Sequence, residues 1–186
     1  IAAAALGAQG VGIEYDATLV ELSRARAREA GVADRARFVH GDIFETDVSG
    51  ASVVMLYLSP EFNIRLRPRL LEQLRPGSRV VSHAFHMGDW EPDSTATIGS
   101  GVGRATLFSW IIPADVDGFW SLEVEGREPM VLELRQTYQR LQATASRAGQ
   151  QPTGRGPGKV RGTQIEFLLA DPGAPPGDSN LILTGR

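Results

Sequence analysis

The feature that most restricts the fold of this chain is an alternation of short apolar segments with stretches long enough to form a helix. Segment 51–57 is apolar on both faces that a strand presents, which is typical of a strand buried in a parallel sheet. Neighbouring parallel strands need a crossover connection, which is usually a helix. The sequence therefore predicts an α/β fold with a doubly wound, mainly parallel sheet. The predicted strands are 10–15, 37–40, 51–57 and 79–85.

Two of the predicted connections carry helical signals. Asp16 is suited to cap a helix over 17–30, because a short acidic side chain accepts hydrogen bonds from the first free backbone N–H groups. The stretch 60–74 is also predicted to be helical. Pro68 is placed at the first turn of a second helix within this stretch, where its missing N–H is tolerated.

The pattern changes after about residue 104. Alternating apolar and polar residues bounded by turns predict an antiparallel meander. Segment 130–145 also fits a helix, but its threonines and its alternation favour a strand. We therefore divide the chain into a domain of residues 1–104 and a β-rich segment of residues 105–186. The predicted strands of the second part are 105–112, 120–125, 130–145, 158–170 and 181–184.

Composition and spacing argue against several functions. The formal net charge of −3 gives no electrostatic footprint for nucleic acid, so no nucleic-acid partner is expected. Cysteine is absent, which excludes disulfides and cysteine-based metal sites. His83 and His86 are three residues apart on a predicted strand and point to opposite faces, so no metal is expected. No apolar run reaches the length of a membrane span, and we expect a cytoplasmic protein.

The start of the sequence resembles the middle of a domain. Residues 1–6 lack the basic region of a signal peptide and resemble the end of a helix that Gly7 terminates. The first residue is Ile1 and not an initiator methionine. We therefore expect that an upstream piece precedes it.

Two acidic residues follow neighbouring predicted strands, at the points where those strands end. A carboxylate at Glu14 can accept hydrogen bonds from both hydroxyls of a ribose. Asp42 can accept from the exocyclic amine of an adenine, and Ile43 beside it can cover the ring. Because the carboxyl ends of parallel strands meet at one edge of a sheet, the two acids predict a nucleotide site. The alternatives are a solvated strand end for Glu14 and a simple Gly-Asp turn for Asp42.

Three segments resemble the signatures of class I S-adenosylmethionine-dependent methyltransferases. They are residues 8–16 (AQGVGIEYD), 38–44 (FVHGDIF) and 70–85 (LLEQLRPGSRVVSHAF). The resemblance implies a Rossmann-like sheet, with residues 1–104 as the S-adenosylmethionine-binding domain. It also implies that the family's first strand and glycine loop would precede the first residue, so that the sheet is incomplete at its N-terminus.

The same resemblance assigns roles to the residues at the two strand ends. It implies that Glu14 and the adjacent Tyr15 bind the ribose side of S-adenosylmethionine. It likewise implies that Asp42 and Ile43 bind the adenine. The cofactor-binding residues expected from the resemblance are thus these four.

A more specific resemblance comes from the middle of the chain. Residues 57–60 (YLSP), 67–71 (RPRLL) and 82–93, with its Trp-Glu-Pro-Asp ending, resemble bacterial relatives of the small lysine methyltransferases that modify mitochondrial inner-membrane proteins. This resemblance implies N-methylation of a protein lysine. The candidate acceptor pocket contains Tyr57, Ser59, Pro60 and Trp90.

Other functions fit the same residues. The absence of a catalytic triad is no objection to methyl transfer, because the reaction depends mainly on positioning. Methylation of a small molecule on oxygen or nitrogen is one alternative. An acid at Glu14 also suits the ribose of NAD in an oxidoreductase, although the required Gly-x-Gly-x-x-Gly loop is not visible. A noncatalytic ligand-binding protein, with the β-rich segment as its working part, is the third.

Overall fold

The computed structural model describes residues 1–123, 128–147, 151–170 and 180–185, which fall into two compact units, Ile1–Gly50 and Ala51–Arg186. The first unit contains a short helix α1 (Ala2–Ala5), strand β1 (Gly10–Glu14), helix α2 (Ala17–Glu29) and strand β2 (Ala36–His40). The two strands are parallel, with Gly10 opposite Ala36 and Glu14 opposite His40. This is the β-α-β crossover that the sequence predicts.

The packing of the first unit depends on small residues. Ala4, Ala27 and Val32 are buried together, and Phe38 packs against them. Gly12 allows the ring of Phe38 to lie close to β1, because a Cβ at Gly12 would be 2.6 Å from a carbon of that ring. The two strands can therefore pair over an aromatic side chain without a steric clash.

Helix α2 begins at a side-chain cap. The Asp16 carboxylate accepts hydrogen bonds from the backbone N–H of Thr18 at 2.7 Å and of Leu19 at 3.4 Å. These bonds, with the Thr18 bond the stronger, lower the pKa of Asp16 from its usual value. The cap confirms the start of the helix that the sequence predicts.

The lowered pKa predicts how the cap responds to pH. A carboxyl group whose pKa is lower in the folded protein stabilises the fold above its unfolded pKa and loses this effect as the pH falls through its folded pKa. We expect the Asp16→Asn variant, which keeps a capping oxygen but does not titrate, to be less stable than the parent at pH 7. The difference should shrink below about pH 4. Urea unfolding followed by circular dichroism from pH 7 to pH 3 measures it, and a difference that does not change with pH would contradict the prediction.

The second unit begins with a four-stranded sheet. Its strands are β3 (Val53–Leu56), β4 (Arg79–His83), β5 (Ser94–Ile98) and β6 (Ala105–Ile111). Their order is β3-β4-β6-β5, with β3 parallel to β4 and the other pairs antiparallel. The sequence did not predict β5. The boundary that we expect at residues 104/105 falls within this sheet, at the start of β6.

Helix α3 (Pro60–Gln73) connects β3 to β4 as one continuous helix, so the prediction that Pro68 begins a second helix is wrong. Leu66 and Leu70 lie four residues apart on one face and are completely buried. Burial of this face on both sides of Pro68 stabilises the helix and offsets the missing backbone hydrogen bond. Among the described residues, every helix is too short or too polar to cross a membrane.

The rest of the second unit is a six-stranded antiparallel sheet. Each described strand pairs with the next along the chain, which confirms the predicted meander. The segment 130–145 forms two strands and not one, because a turn at Tyr138 (φ 54°) and Gln139 separates them. The segment 158–170 is likewise part of a hairpin. The strands are β7 (Gly118–Leu122), β8 (Met130–Thr137), β9 (Arg140–Ser146), β10 (Pro152–Arg161), β11 (Gln164–Ala170) and β12 (Asn180–Gly185).

One face of this curled sheet forms a hydrophobic core. Val116 packs on it from the segment before β7. Two glycines of β10 allow β11 to approach closely, since a Cβ at Gly156 would overlap the carbonyl oxygen of Leu168, and a Cβ at Gly158 would crowd Phe167. The buried members of this core in the strands are Leu132, Leu134, Leu141, Ala143, Ala145, Val160, Phe167 and Leu169.

Candidate functional site

The first part of the candidate site is the carboxyl edge of β1 and β2. Glu14 is opposite His40 in the parallel pair, and the backbone N–H of Gly41 donates to the carbonyl oxygen of Glu14 at 3.0 Å. Asp42 is the next residue along the chain. The structure therefore brings the two predicted acids to the same edge of the sheet.

Both carboxylates are half-buried and held by backbone hydrogen bonds. One oxygen of Glu14 accepts from the N–H of Asp16 at 3.0 Å. One oxygen of Asp42 accepts from the N–H of Phe44 at 2.8 Å. Within the part of the chain that the structure describes, the second oxygen of each carboxylate has no protein donor. Each acid is thus oriented by one oxygen and can accept a ligand hydroxyl or amine with the other.

The neighbours of these acids provide a further ring and an apolar side chain. Tyr15 is 77% exposed, and its carbonyl oxygen lies 2.9 Å from Nε2 of His40. Ile43 is half-buried after β2. The four residues predicted to bind a nucleotide therefore lie at one edge, and their chemistry fits a ribose and an adenine. Sequence reasoning missed His40, although its position at the end of β2 was the available signal.

The second part of the candidate site is the carboxyl edge of β3 and β4, within the second unit. Ser59 caps α3, and its hydroxyl oxygen accepts from the N–H of Phe62 at 3.4 Å. Pro60 is the first helical residue, a position that tolerates its missing N–H. A side-chain hydrogen bond with Ser59 lowers the pKa of Glu61. Both predicted pocket residues therefore have local roles at the helix start.

Tyr57 is the exposed aromatic residue at this edge. Its side chain is 83% exposed, and its ring lies against that of His83, with centroids 4.9 Å apart and planes tilted by 41°. Because β3 and β4 are parallel neighbours, both rings stand where their strands end. An aromatic surface of this kind can contact an alkyl chain or a cation.

Trp90 has a different environment from Tyr57. It is completely buried, and its indole N–H donates to Oε1 of Gln139 at 2.9 Å. Its carbonyl oxygen accepts from the indole N–H of Trp110 at 2.8 Å, and its ring stacks on Tyr138 with centroids 5.7 Å apart. Trp90 therefore joins the loop after β4 to the turn between β8 and β9, and the structure does not bring its side chain to the surface beside Tyr57.

A charged cluster that sequence reasoning missed surrounds this tryptophan. Arg67 of α3 donates to the carboxylate of Asp89 and, at 2.7 Å, to the carbonyl oxygen of Met87. The guanidinium also lies 5.1 Å from the ring centre of Tyr138. The hydrogen bond from Arg67 lowers the pKa of Asp89, and burial raises the pKa of Tyr138. The cluster fixes the loop after β4 against α3.

Asp93 anchors the far end of that loop. Its side chain is 7% exposed, and one oxygen accepts from the N–H of Ile111 at 2.9 Å. The other oxygen lies 2.9 Å from the ammonium of Lys159 on β10. The Trp-Glu-Pro-Asp segment is therefore a structural connection between the two sheets of the second unit.

Comparison with known proteins identifies the class. The sequence profile described as the ANTKMT methyltransferase domain matches residues 1–94, just over half of the chain. This is the part that contains the two strand-end edges described above. The protein is a class I methyltransferase by fold, and the chain belongs to the ANTKMT methyltransferase domain family.

Two relatives are lysine methyltransferases by name. The protein-lysine N-methyltransferase of Saccharolobus islandicus (strain REY15A) is 35% identical over 104 residues, which are 56% of this chain and 65% of the relative. A lysine N-methyltransferase of Mus musculus that is named for an ATP synthase component is 35% identical over 114 residues, 61% of this chain and 44% of the relative. The chain thus spans less than two thirds of the length of either relative.

A solved structure is also similar. The RNA methyltransferase from Salinibacter ruber, in complex with S-adenosyl-L-homocysteine, is 53% identical with a TM-score of 0.55. The match covers 59% of this chain and 69% of that one. These findings confirm the resemblance to class I methyltransferases and to the small lysine methyltransferases that the motifs indicate. They favour neither the oxidoreductase nor the noncatalytic alternative.

Proposed function

We propose that the protein transfers the methyl group of S-adenosylmethionine to the side-chain amine of a lysine in a protein substrate. The observation that carries this proposal is the family match over residues 1–94, together with two relatives named as lysine N-methyltransferases. The carboxylates of Glu14 and Asp42 support it, because each keeps one oxygen available for a ligand at a strand end.

The residues of the first unit suit the nucleoside part of the cofactor. Glu14 would hold the ribose hydroxyls, with Tyr15 beside it. Asp42 would accept the adenine amine, and Ile43 would cover the ring. When bound, the sulfonium supplies an activated methyl group whose leaving group is a neutral thioether. The chain therefore needs to hold and orient the reactants more than it needs an acid or a base.

The residues of the second unit suit a lysine acceptor. A lysine must lose a proton before its nitrogen can attack, and an apolar surface favours the neutral amine because burial disfavours the charged form. Tyr57 and His83 offer such an aromatic surface for the alkyl stem. The backbone carbonyls from Tyr57 to Ser59 are acceptors suited to orient the nitrogen. The bond between sulfur and the methyl carbon breaks as the bond between nitrogen and carbon forms, and the lysine proton leaves to solvent.

RNA is a second candidate acceptor. The observation that favours it is the 53% identity to a protein named as an RNA methyltransferase. Against it stands the formal net charge of −3, since proteins that bind nucleic acid neutralise phosphates with an excess of basic residues. We therefore prefer the protein lysine.

A labelling experiment tests the choice between these acceptors. The protein is incubated with S-adenosylmethionine that carries a tritiated methyl group, and with host protein extract or host total RNA in parallel. We expect label that resists ribonuclease, is released by protease and is recovered as methyl-lysine after acid hydrolysis. A protein with Glu14 and Asp42 both replaced by alanine serves as the control, and it should incorporate little label.

The other outcomes are equally informative. Label that ribonuclease releases would replace the lysine proposal with the RNA candidate. Label found only in small organic-soluble products would support methylation of a small molecule and reject both. No incorporation in any fraction, with S-adenosylmethionine bound, would reject methyl transfer to these acceptors.

A further inference from the structure

Asn63 is a polar residue in a place that a hydrophobic residue would normally occupy. It lies on the buried face of α3 with Leu66 and Leu70, and its side chain is completely buried. Its Nδ2 donates to the hydroxyl of Ser82 at 2.9 Å, but among the described residues its Oδ1 has no hydrogen-bond partner. A buried amide oxygen without a partner costs stability, so this residue needs an explanation other than packing.

The same amide lies beneath an exposed turn. Besides Ser82, Nδ2 of Asn63 is 3.4 Å from the carbonyl oxygen of Phe85 and 3.5 Å from that of His86. Ala84, Phe85 and His86 are all exposed and directly follow β4. Asn63 therefore holds the exposed turn 84–86 from inside the protein.

The turn has a backbone conformation that must be maintained by its surroundings. Ala84 has φ of 65°, in the left-handed region that residues with a Cβ rarely adopt. The N–H of Ala84 donates to the carbonyl oxygen of Thr106 at 2.8 Å, and that of Phe85 to the carbonyl oxygen of His83 at 2.9 Å. With the hydrogen bonds of Asn63, these contacts fix the direction in which the turn points.

The turn lies at the proposed acceptor edge. It follows His83, whose ring contacts Tyr57, at the carboxyl ends of two parallel strands. Ligands in open α/β sheets bind outside these ends. The exposed ring of Phe85 extends the aromatic surface of this edge by one residue that can contact a substrate.

We propose that Asn63 is a positioning residue for the methyl acceptor. Its buried amide holds the turn 84–86, and the turn in its fixed conformation forms one wall of the acceptor site. This inference rests on the proposed methyltransferase function and adds the element that orients the acceptor. The free energy lost at the unpaired oxygen of Asn63 is then the cost of a rigid substrate wall and not a defect of the core.

A paired apolar replacement separates this role from a structural one. In the double variant Asn63→Leu with Ser82→Ala, both partners of the buried hydrogen bond become apolar, a change that is often nearly neutral for stability. We expect a melting temperature close to that of the parent and an unchanged affinity for S-adenosylmethionine. The concentration of host protein extract needed for half-maximal tritium incorporation should rise about tenfold, with the maximal rate changed less than twofold.

A second variant tests the turn without altering Asn63. Ala84→Gly relieves the left-handed backbone and loosens the turn. It should therefore leave stability unchanged or raised, and it should also increase the half-saturating concentration of extract. The inference is overturned if either variant is stable and binds the cofactor but needs no more extract than the parent.

The design also separates this inference from the proposed lysine activity. If the parent labels host RNA and not protein, the lysine proposal fails. The same two variants are then compared with host total RNA as the acceptor, and a raised half-saturating concentration still supports the positioning role. An unchanged value in that arm overturns it.

Discussion

Replacing Trp90 by alanine should lower the free energy of unfolding by about 3–5 kcal/mol. The indole is completely buried, and it packs on both Trp110 and Tyr138. Its removal leaves a large cavity, and it also leaves Oε1 of the buried Gln139 without its donor. Urea unfolding of the parent and the variant, followed by far-ultraviolet circular dichroism, measures the loss.

Two comparisons make this expectation specific. Trp90→Phe keeps most of the packing but loses the N–H, so it should cost about 1–3 kcal/mol for the unpaired Gln139. Trp120→Ala removes the same type of residue from a position that is 46% exposed, and it should cost clearly less than Trp90→Ala. A loss of less than about 1 kcal/mol for Trp90→Ala would show that the indole is not a central part of the core.

Glu14→Ala and Asp42→Ala should each weaken S-adenosylmethionine binding by about 1–3 kcal/mol. The physical reason is that each change leaves a ribose hydroxyl or an adenine amine without an acceptor in a half-buried site. The affinity is measured by isothermal titration calorimetry with S-adenosylmethionine and with S-adenosylhomocysteine. Both ligands should lose affinity to a similar extent, because they share the nucleoside.

The controls separate binding from folding and from charge. Glu14→Gln and Asp42→Asn keep an oxygen for the N–H groups of Asp16 and Phe44, so any loss of affinity in these variants does not arise from a broken turn. Glu21→Ala removes the same charge from the exposed face of α2, where Glu21 pairs with Arg24, and it should not affect affinity. Unchanged affinity in both alanine variants would reject the assignment of the cofactor site.

The features that sequence reasoning predicted are those with a strong local signal. The cap at Asp16 and the acids that follow β1 and β2 are visible because the chemistry of turns and strand ends is local. The buried strand β3 is recognisable from its apolar run. The meander after β6 is also predicted, because alternation and turn residues repeat along it.

The missed features depend on contacts between distant residues. No local pattern announces that Trp90 bonds to Gln139, which lies 49 residues further along the chain. The continuity of α3 through Pro68 depends on burial of Leu66 and Leu70, which overrides the local preference of proline. Asn63 had a weak signal, since it occupies the same helical face as these leucines, but only the structure shows its contact with the turn.

The neighbour-to-neighbour pairing of the six-stranded sheet has a consequence for how the second unit folds. Each hairpin from β7 to β12 closes a short loop, and low contact order favours fast folding. The bonds that attach the loop after β4 to this sheet, from Trp90 to Gln139 and from Asp93 to Lys159, close much longer loops. The meander should therefore assemble early and serve as a template, and the turn that follows β4 should acquire its native conformation late.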